Sequence, residues 1–437
     1  MDAIQLVALT IFAVAIFIVI TGVIDRSAGA AAGALAMVLF GVWGAEEAFA
    51  SVDWNVIILL ISVWLLASYF NQTGVPEWLA MAALRASGGR PVVFLTLLCL
   101  MAGYVSTVLD NVVVILIMAP VILQVTRPLG LPAVPFLMLV GLSANLMGTA
   151  LVIGDLPPQL LHSVAGAEFF DFIWQFGRPS SFPILSVAFV ATLAFFYFRS
   201  AQLLGAPAGV GGDLGEPTPA VIERPSFAWV VCSAFTLTIL GMAARQLFNL
   251  ELGAIAAVGA FGLVVVLEVF KRQLKPPEFE RILQELDWRA ILFYVALFAL
   301  VGGLEHTHII QLVANVLAPI MASNLLLGSS LLYWVTLPIV AVVEHDAYIL
   351  TFLYVIRDLG NQVNPWPLYW MLLWAGTLGS NLTVAGAPAL YVALNLAEDA
   401  EGRKVPFREF LSYSAPFVLI STGVTYVLAV LIWVLPG

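Results

Sequence analysis

STVLDNVVV, residues 106–114, and VVEHDAYILTF, residues 342–352, each set ionisable side chains inside a long apolar run. Residues 91–109 and 112–125 flank the first without a charge, and 325–343 and 347–356 flank the second in the same way. A carboxylate at the centre of a bilayer costs ~2.5–3.5 kcal/mol on insertion scales unless it is paired, hydrated or neutralised. Asp110 and the run Glu344-His345-Asp346 therefore mark places where the chain has a use for charge.

The rest of the chain shows why those residues count as intramembrane. Hydrophobic residues make up 62% of the sequence and charged ones 10%, against about a quarter charged in a soluble domain, and the mean hydropathy is +1.03. Apolar windows of the ~20 residues needed to cross a ~30 Å hydrocarbon core recur throughout, at 7–24, 91–109, 227–244 and 415–435 among others. The first window lacks a basic leader and is followed by more of its kind, so it reads as a first transmembrane helix rather than a signal peptide. A net charge of -10 argues against a nucleic-acid partner. The two cysteines, Cys99 and Cys232, lie apart in apolar runs, which excludes a disulfide framework or a thiolate metal site. No metal or cofactor is expected.

Seven apolar segments before residue 203 face seven after residue 227. Between them, residues 204–226 are rich in Gly and Pro and lack apolar periodicity, the composition of a linker. The expected organisation is a first transmembrane repeat at 1–203, the linker at 204–226 and a second repeat at 227–437. Self-similarity agrees: Asp53-Trp54 matches Asp287-Trp288 at an offset of 234, and Gly154 of TALVIGDLPP pairs with Gly386 of NLTVAGAPA at 232. The basic stretch Lys271, Arg272, Lys275, Arg281, Arg289 corresponds to the acidic surroundings of Glu46, Glu47 and Asp53, while Arg85 and Arg90 correspond to uncharged residues 319–324. Positive loops favour the cytoplasm, so equivalent loops of opposite character imply repeats inserted upside down relative to each other.

The 234 offset sets Asp110-Asn111 on Glu344-His345, one carboxylate with a polar neighbour in each half. These junctions read as broken helices lining a midplane site; the alternative is a pair of short hydrated loops. Residues 143–163 and 376–394, interrupted by Gly, Ser, Asn, Thr and Pro, read as two turns at membrane depth that supply neutral oxygens and amides, the alternative being surface loops between helices. Asp110, Asp155, Glu344, His345 and Asp346 are the candidates for proton or ion coupling, and Asn111, Asn145, Thr149, Ser380, Asn381 and Thr383 for substrate binding. His306 and His308, two apart, do not share a helix face and form no convincing metal pair.

DWN at the start of a segment, LDN at 109–111 with its apolar run to Pro120, GTALVIGDLPP at 148–158 and GSNLTVAG at 379–386 together resemble the ion transporter superfamily. The nearest branch is that of ArsB-type arsenite/antimonite permeases, the P protein and NhaD sodium/proton antiporters, with dicarboxylate:sodium symporters more distant. The likeness spans essentially the whole chain. It departs at Glu344-His345-Asp346, where many relatives repeat Asp-Asn, and at Gln159, where GDPPN would place Asn. The resemblance implies an all-α polytopic membrane protein of two inverted repeats, each with a re-entrant hairpin and a broken helix, in a homodimer that moves its cargo by an elevator-like shift in the cell membrane. An associated ATPase subunit is compatible with the branch but leaves no mark on this chain.

Intramembrane acids without intramembrane Lys or Arg favour a cationic or neutral cargo coupled to protons or sodium. The expected function is a proton-coupled efflux permease for arsenite or antimonite, a small inorganic substrate, with sodium/proton antiport as the alternative. An anion symporter, a channel and an intramembrane enzyme stand behind these, since neither a ring-lined pore nor a nucleophile with its base is evident.

Overall fold

The computed structural model describes residues 2–21, 23–88, 90–127, 130–203, 222–343, 345–360, 363–384 and 386–436. Glu344 and most of the linker, 204–221, lie outside the described residues; the helix after the linker begins at Pro225, two residues earlier than its composition suggests. The chain is almost wholly helical, because a backbone in lipid must satisfy its own N–H and C=O groups. A short ribbon, Trp174–Gln175 paired with Arg178–Pro179, is the one sheet among the described residues.

Among the described residues, six helices are long and apolar enough to cross a membrane: Trp54–Asn71, Ser181–Arg199, Pro225–Ala243, Leu252–Val269, Trp288–His306 and Phe407–Val434. Other apolar helices are shorter. Pro91–Ser106, Asn111–Thr126, Ala133–Gly148 and Leu325–Val340 have 16 residues each, or ~24 Å at 1.5 Å per residue, less than the hydrocarbon thickness. Such helices must work in pairs, either doubling back or continuing after a break.

Packing decides which pairs do which. Phe94 lies against Phe136 with ring centroids 6.0 Å apart, and Gly103 and Ser106 lie against Met147 and Gly148, so Pro91–Ser106 and Ala133–Gly148 run parallel. Asn111 bonds Asn145 and Ile115 touches Gly141, so Asn111–Thr126 runs antiparallel to the same helix. Residues 91–126 are therefore a re-entrant hairpin whose tip is 107–110. By contrast, Leu156–Ala165 leaves Ala133–Gly148 and packs on His345–Leu359 of the other repeat, which makes 133–165 the broken transmembrane helix. This reverses the sequence reading: the Asp110 junction and the junction before His345 are hairpin tips, and the Gly/Asn/Thr-rich turns are helix breaks.

The second repeat follows the same plan. Gly379 sits against Leu337 and Val340, Thr336 Oγ1 lies 3.1 Å from Tyr348 Oη across the tip, and Ile349 meets Gly376. Residues 325–359 form its hairpin and 366–401 its broken helix. Helix starts keep the sequence offset, Trp54 with Trp288, Val75 with Ile309, Pro91 with Leu325 and Asn111 with His345 being 234 apart.

The two broken helices run in opposite directions. Glu401 Oε1 accepts from Val134 N at 3.0 Å and Ala393 touches Gly141, so Pro388–Glu401 runs back along Ala133–Gly148, while the C-terminal ends of Ala133–Gly148 and Trp366–Ser380 meet. The repeats are inverted. All of the 17 Lys and Arg residues except Arg178, Arg245 and Arg357 fall on the side carrying residues 133 and 401, and by the positive-inside bias that side is cytoplasmic.

Candidate functional site

Each hairpin tip presses against a break at a glycine. A Cβ on Gly154 would lie 2.4 Å from Gly148 O and 2.5 Å from Ser106 O; a Cβ on Gly386 would lie 2.4 Å from Ser380 O and 2.9 Å from Val340 O. The paired positions hold the same backbone cradle, so glycine is required at both by close approach of main chain. Four half-helix ends thereby converge.

At that convergence, Asp110 Oδ1 caps the second hairpin arm, accepting from Val112 N at 2.9 Å and Val113 N at 3.3 Å. Asn111 Nδ2 donates to Asn145 Oδ1 at 2.8 Å and to Asp155 Oδ2 at 2.9 Å, while Asp155 Oδ1 accepts from Leu156 N at 2.9 Å. From the other repeat, His345 Nε2 lies 3.4 Å from Asp346 Oδ1. Asp110, Asn111, Asp155, His345 and Asp346 line one cavity of about 150 Å³, room for about five waters at ~30 Å³ each. Its floor is the buried Asp155, His345 and Asp346; its mouth is the exposed Glu285 and Asp287, with Arg26 on the wall. These outer residues stand at the cytoplasmic ends of their helices, so the cavity opens to the cytoplasm.

The neutral groups assigned to substrate go elsewhere, Asn111 excepted. Asn145 Nδ2 donates to Ser380 Oγ at 3.1 Å and Asn381 Oδ1 at 3.0 Å, Thr149 Oγ1 to Thr377 Oγ1 at 2.8 Å, and Thr383 Oγ1 to Ala341 O. The Asn145 and Thr149 bonds bolt the two breaks to each other behind the cavity, and Thr383 ties the second break to its own hairpin; none of these groups lines the cavity. The structure adds Arg26, Trp64, Ser68, Glu285, Asp287 and Tyr294 to the walls. Of these only Asp287 carried a sequence signal, through the Asp-Trp match.

Residues 15–376 match the family model described as citrate transporter. The chain belongs to the citrate transporter family. Members are transporters, and this chain is a secondary transporter rather than an enzyme, in a multi-pass membrane setting. It is 28% identical to an uncharacterized transporter of Mycobacterium tuberculosis over 98% of both chains, and 24% identical to the P protein of Homo sapiens over 97% of this chain and 59% of that one. Among solved structures, the YdaH transporter of Alcanivorax borkumensis aligns with a TM-score of 0.56 at 14% identity, covering 90% of this chain and 87% of that one. The family and its relatives bear out the superfamily resemblance, and the YdaH likeness bears out the fold.

Proposed function

We propose that the protein exchanges protons for a small cation, sodium being the first candidate, through the cytoplasm-facing cavity. One observation carries this: Asp110 and Asp155 of one repeat and Asp346 of the other converge on a cavity of about 150 Å³. Carboxylates crowded at membrane depth do not all stay ionised alone; a proton or cation must share the space. Alternation between the two is the exchange cycle. Ser163 Oγ donates to Asp53 Oδ2 and Arg357 pairs with Glu305 at 2.6 Å on the far side. Both join the hairpin and broken-helix core to the outer helices, which suits an elevator shift that breaks them. The exposed apolar faces of Pro225–Ala243 and Leu252–Val269 offer area for the homodimer contact that the resemblance implies.

Arsenite or antimonite efflux gains less support, because none of Asn145, Thr149, Ser380, Asn381 and Thr383 lines the cavity, and Asn145, Thr149, Ser380 and Thr383 bond one another or backbone. A second reading follows from Arg26 and the family description: a citrate-like carboxylic acid could dock on the guanidinium, but against Asp110, Asp155, Asp346, Glu285 and Asp287 it would have to bring protons or a cation with it. Everted vesicles under an imposed pH gradient separate these. Sodium should dissipate the gradient, with arsenite and citrate giving little response, and Asp110→Asn should abolish the sodium response. Sodium transport at the parent rate by Asp110→Asn would sink the carboxylate mechanism.

A further inference from the structure

Leu116 lines the inner cavity and also a second, larger one of about 790 Å³ walled by Pro120, Leu123, Gln124, Arg127 and Glu77. The two share one face of the second hairpin arm: Val113, Leu116, Pro120, Leu123 or Gln124, and Arg127 recur at the 3- and 4-residue spacing of a helical stripe. From Asp110, Leu116 is ~9 Å along the helix and Arg127 ~25 Å, at 1.5 Å per residue. The stripe therefore reaches from the coupling carboxylate to the cytoplasmic rim. Leu116 is half exposed and is the residue of this helix that lines both spaces.

A second feature falls at the same place. Pro120 lies inside this helix and has no N–H, so the carbonyl of Leu116, four residues earlier, lacks its helical donor. An oxygen acceptor beside the place where the two spaces share Leu116 is thus left without its helical donor. Unused backbone carbonyls in a membrane helix occur where they face a cavity or a neighbour that satisfies them, and a passing cation or its water is such a neighbour.

We propose that the cation reaches the cavity from the cytoplasm mainly along this stripe rather than past the mouth at Glu285 and Asp287, where Arg26 repels it, that the Leu116 side chain is the hydrophobic constriction of this route, and that the Leu116 carbonyl is the coordinating step within it. The large outer space collects the hydrated ion at Glu77 and Gln124; the neck strips and passes it to Asp110. Leu116 is a positioning and gating residue. The inference rests on the cation-exchange reading above.

The test uses the full chain in everted vesicles, with sodium as the probe. Leu116→Trp should lower sodium-dependent dissipation of the pH gradient at least tenfold while sodium binding to the monodisperse purified protein is kept. Leu116→Ala should raise the rate or introduce a sodium leak. Pro120→Ala restores the missing donor and should slow exchange severalfold without loss of thermal stability. Leu116→Cys and Gln124→Cys should react with a membrane-impermeant thiol reagent from the cytoplasmic side, above the parent baseline set by buried Cys99 and half-buried Cys232. Parent rates in Leu116→Trp, a slower Leu116→Ala, or two unreactive cysteines would overturn the route. If Asp110→Asn is inactive while Leu116→Trp works normally, the route alone is wrong; if Asp110→Asn itself exchanges sodium, the exchange reading falls first.

Discussion

The two hairpin tips share a backbone plan and differ in what they do with it. In the first, Asn111 ties Asp155 to Asn145 in a closed network of short hydrogen bonds. In the second, the equivalent of Asn111 is His345 and the equivalent of Asp155 is Ala387, so that network has no counterpart; an adjacent His345-Asp346 pair stands in its place. Pseudo-symmetry sets geometry, then, while the chemistry is divided: one tip is built to hold a carboxylate fixed, the other to place a titratable pair in the same cavity.

The largest effect expected is one that should be the same in both halves. Gly154→Ala and Gly386→Ala each drive a Cβ to 2.4 Å from a carbonyl oxygen of the main chain, where no side-chain rotation relieves the clash. Overpacking of flexible cores costs about 1–3 kcal/mol, and a backbone obstacle should exceed that. Both variants should lose most monodisperse protein on size-exclusion chromatography and lower the melting temperature of what remains. Tolerance of one and not the other would show that the cradles are not equivalent.

The second effect should separate the halves. Asn111→Ala removes a buried hydrogen bond from each of Asn145 Oδ1 and Asp155 Oδ2, at about 0.5–1.5 kcal/mol for each bond lost, so it should depress stability as well as transport. His345→Gln removes the second tip's ring and leaves the Asn111 network intact. It should keep most stability but shift the pH profile of transport. A thermal melt beside a pH–rate profile distinguishes them. If His345→Gln leaves the profile unchanged, proton coupling belongs to the first tip alone.

How far the sequence told this in advance follows from the same division. The offset of 234 marks the helix starts at Trp54, Val75, Pro91 and Asn111 with their partners, because polar punctuation in an apolar chain survives in both repeats. Whether the chain turns back or carries on at such punctuation is not written locally. LDN and GTALVIGD both interrupt two runs of membrane-half length, and only the contacts of Phe94 with Phe136 and Ile115 with Gly141 tell hairpin from break. For the site, the intramembrane carboxylates stood out because charge in lipid is expensive. Asn145, Thr149 and Asn381 were equally visible, but a polar group at a break has two uses, and here it joins the breaks. Arg26 and Glu285 were invisible for the opposite reason. They sit at helix ends, where charge is unremarkable, and become part of the site because the cavity reaches from the surface to meet them.

Arg26 leads to the smallest effect, and to a check on whether the cavity's outer wall matters as its floor does. Asp25 caps the helix that begins at Arg26, its Oδ1 accepting from Ser27 N at 3.0 Å and Ala28 N at 3.2 Å, and the Ala28 amide first among these holds its carboxyl below the usual range. A carboxylate with a depressed folded pKa lends stability above its unfolded pKa and loses it as pH falls through the folded value. Asp25→Ala should cost ~1 kcal/mol, the usual worth of a lost N-cap, and the variant should differ least from the parent in acid. If the guanidinium repels the cation at the mouth, a loosened Arg26 should lower the apparent KM for sodium-dependent exchange and leave the maximal rate unchanged. An unchanged KM would confine the working charges to the two tips.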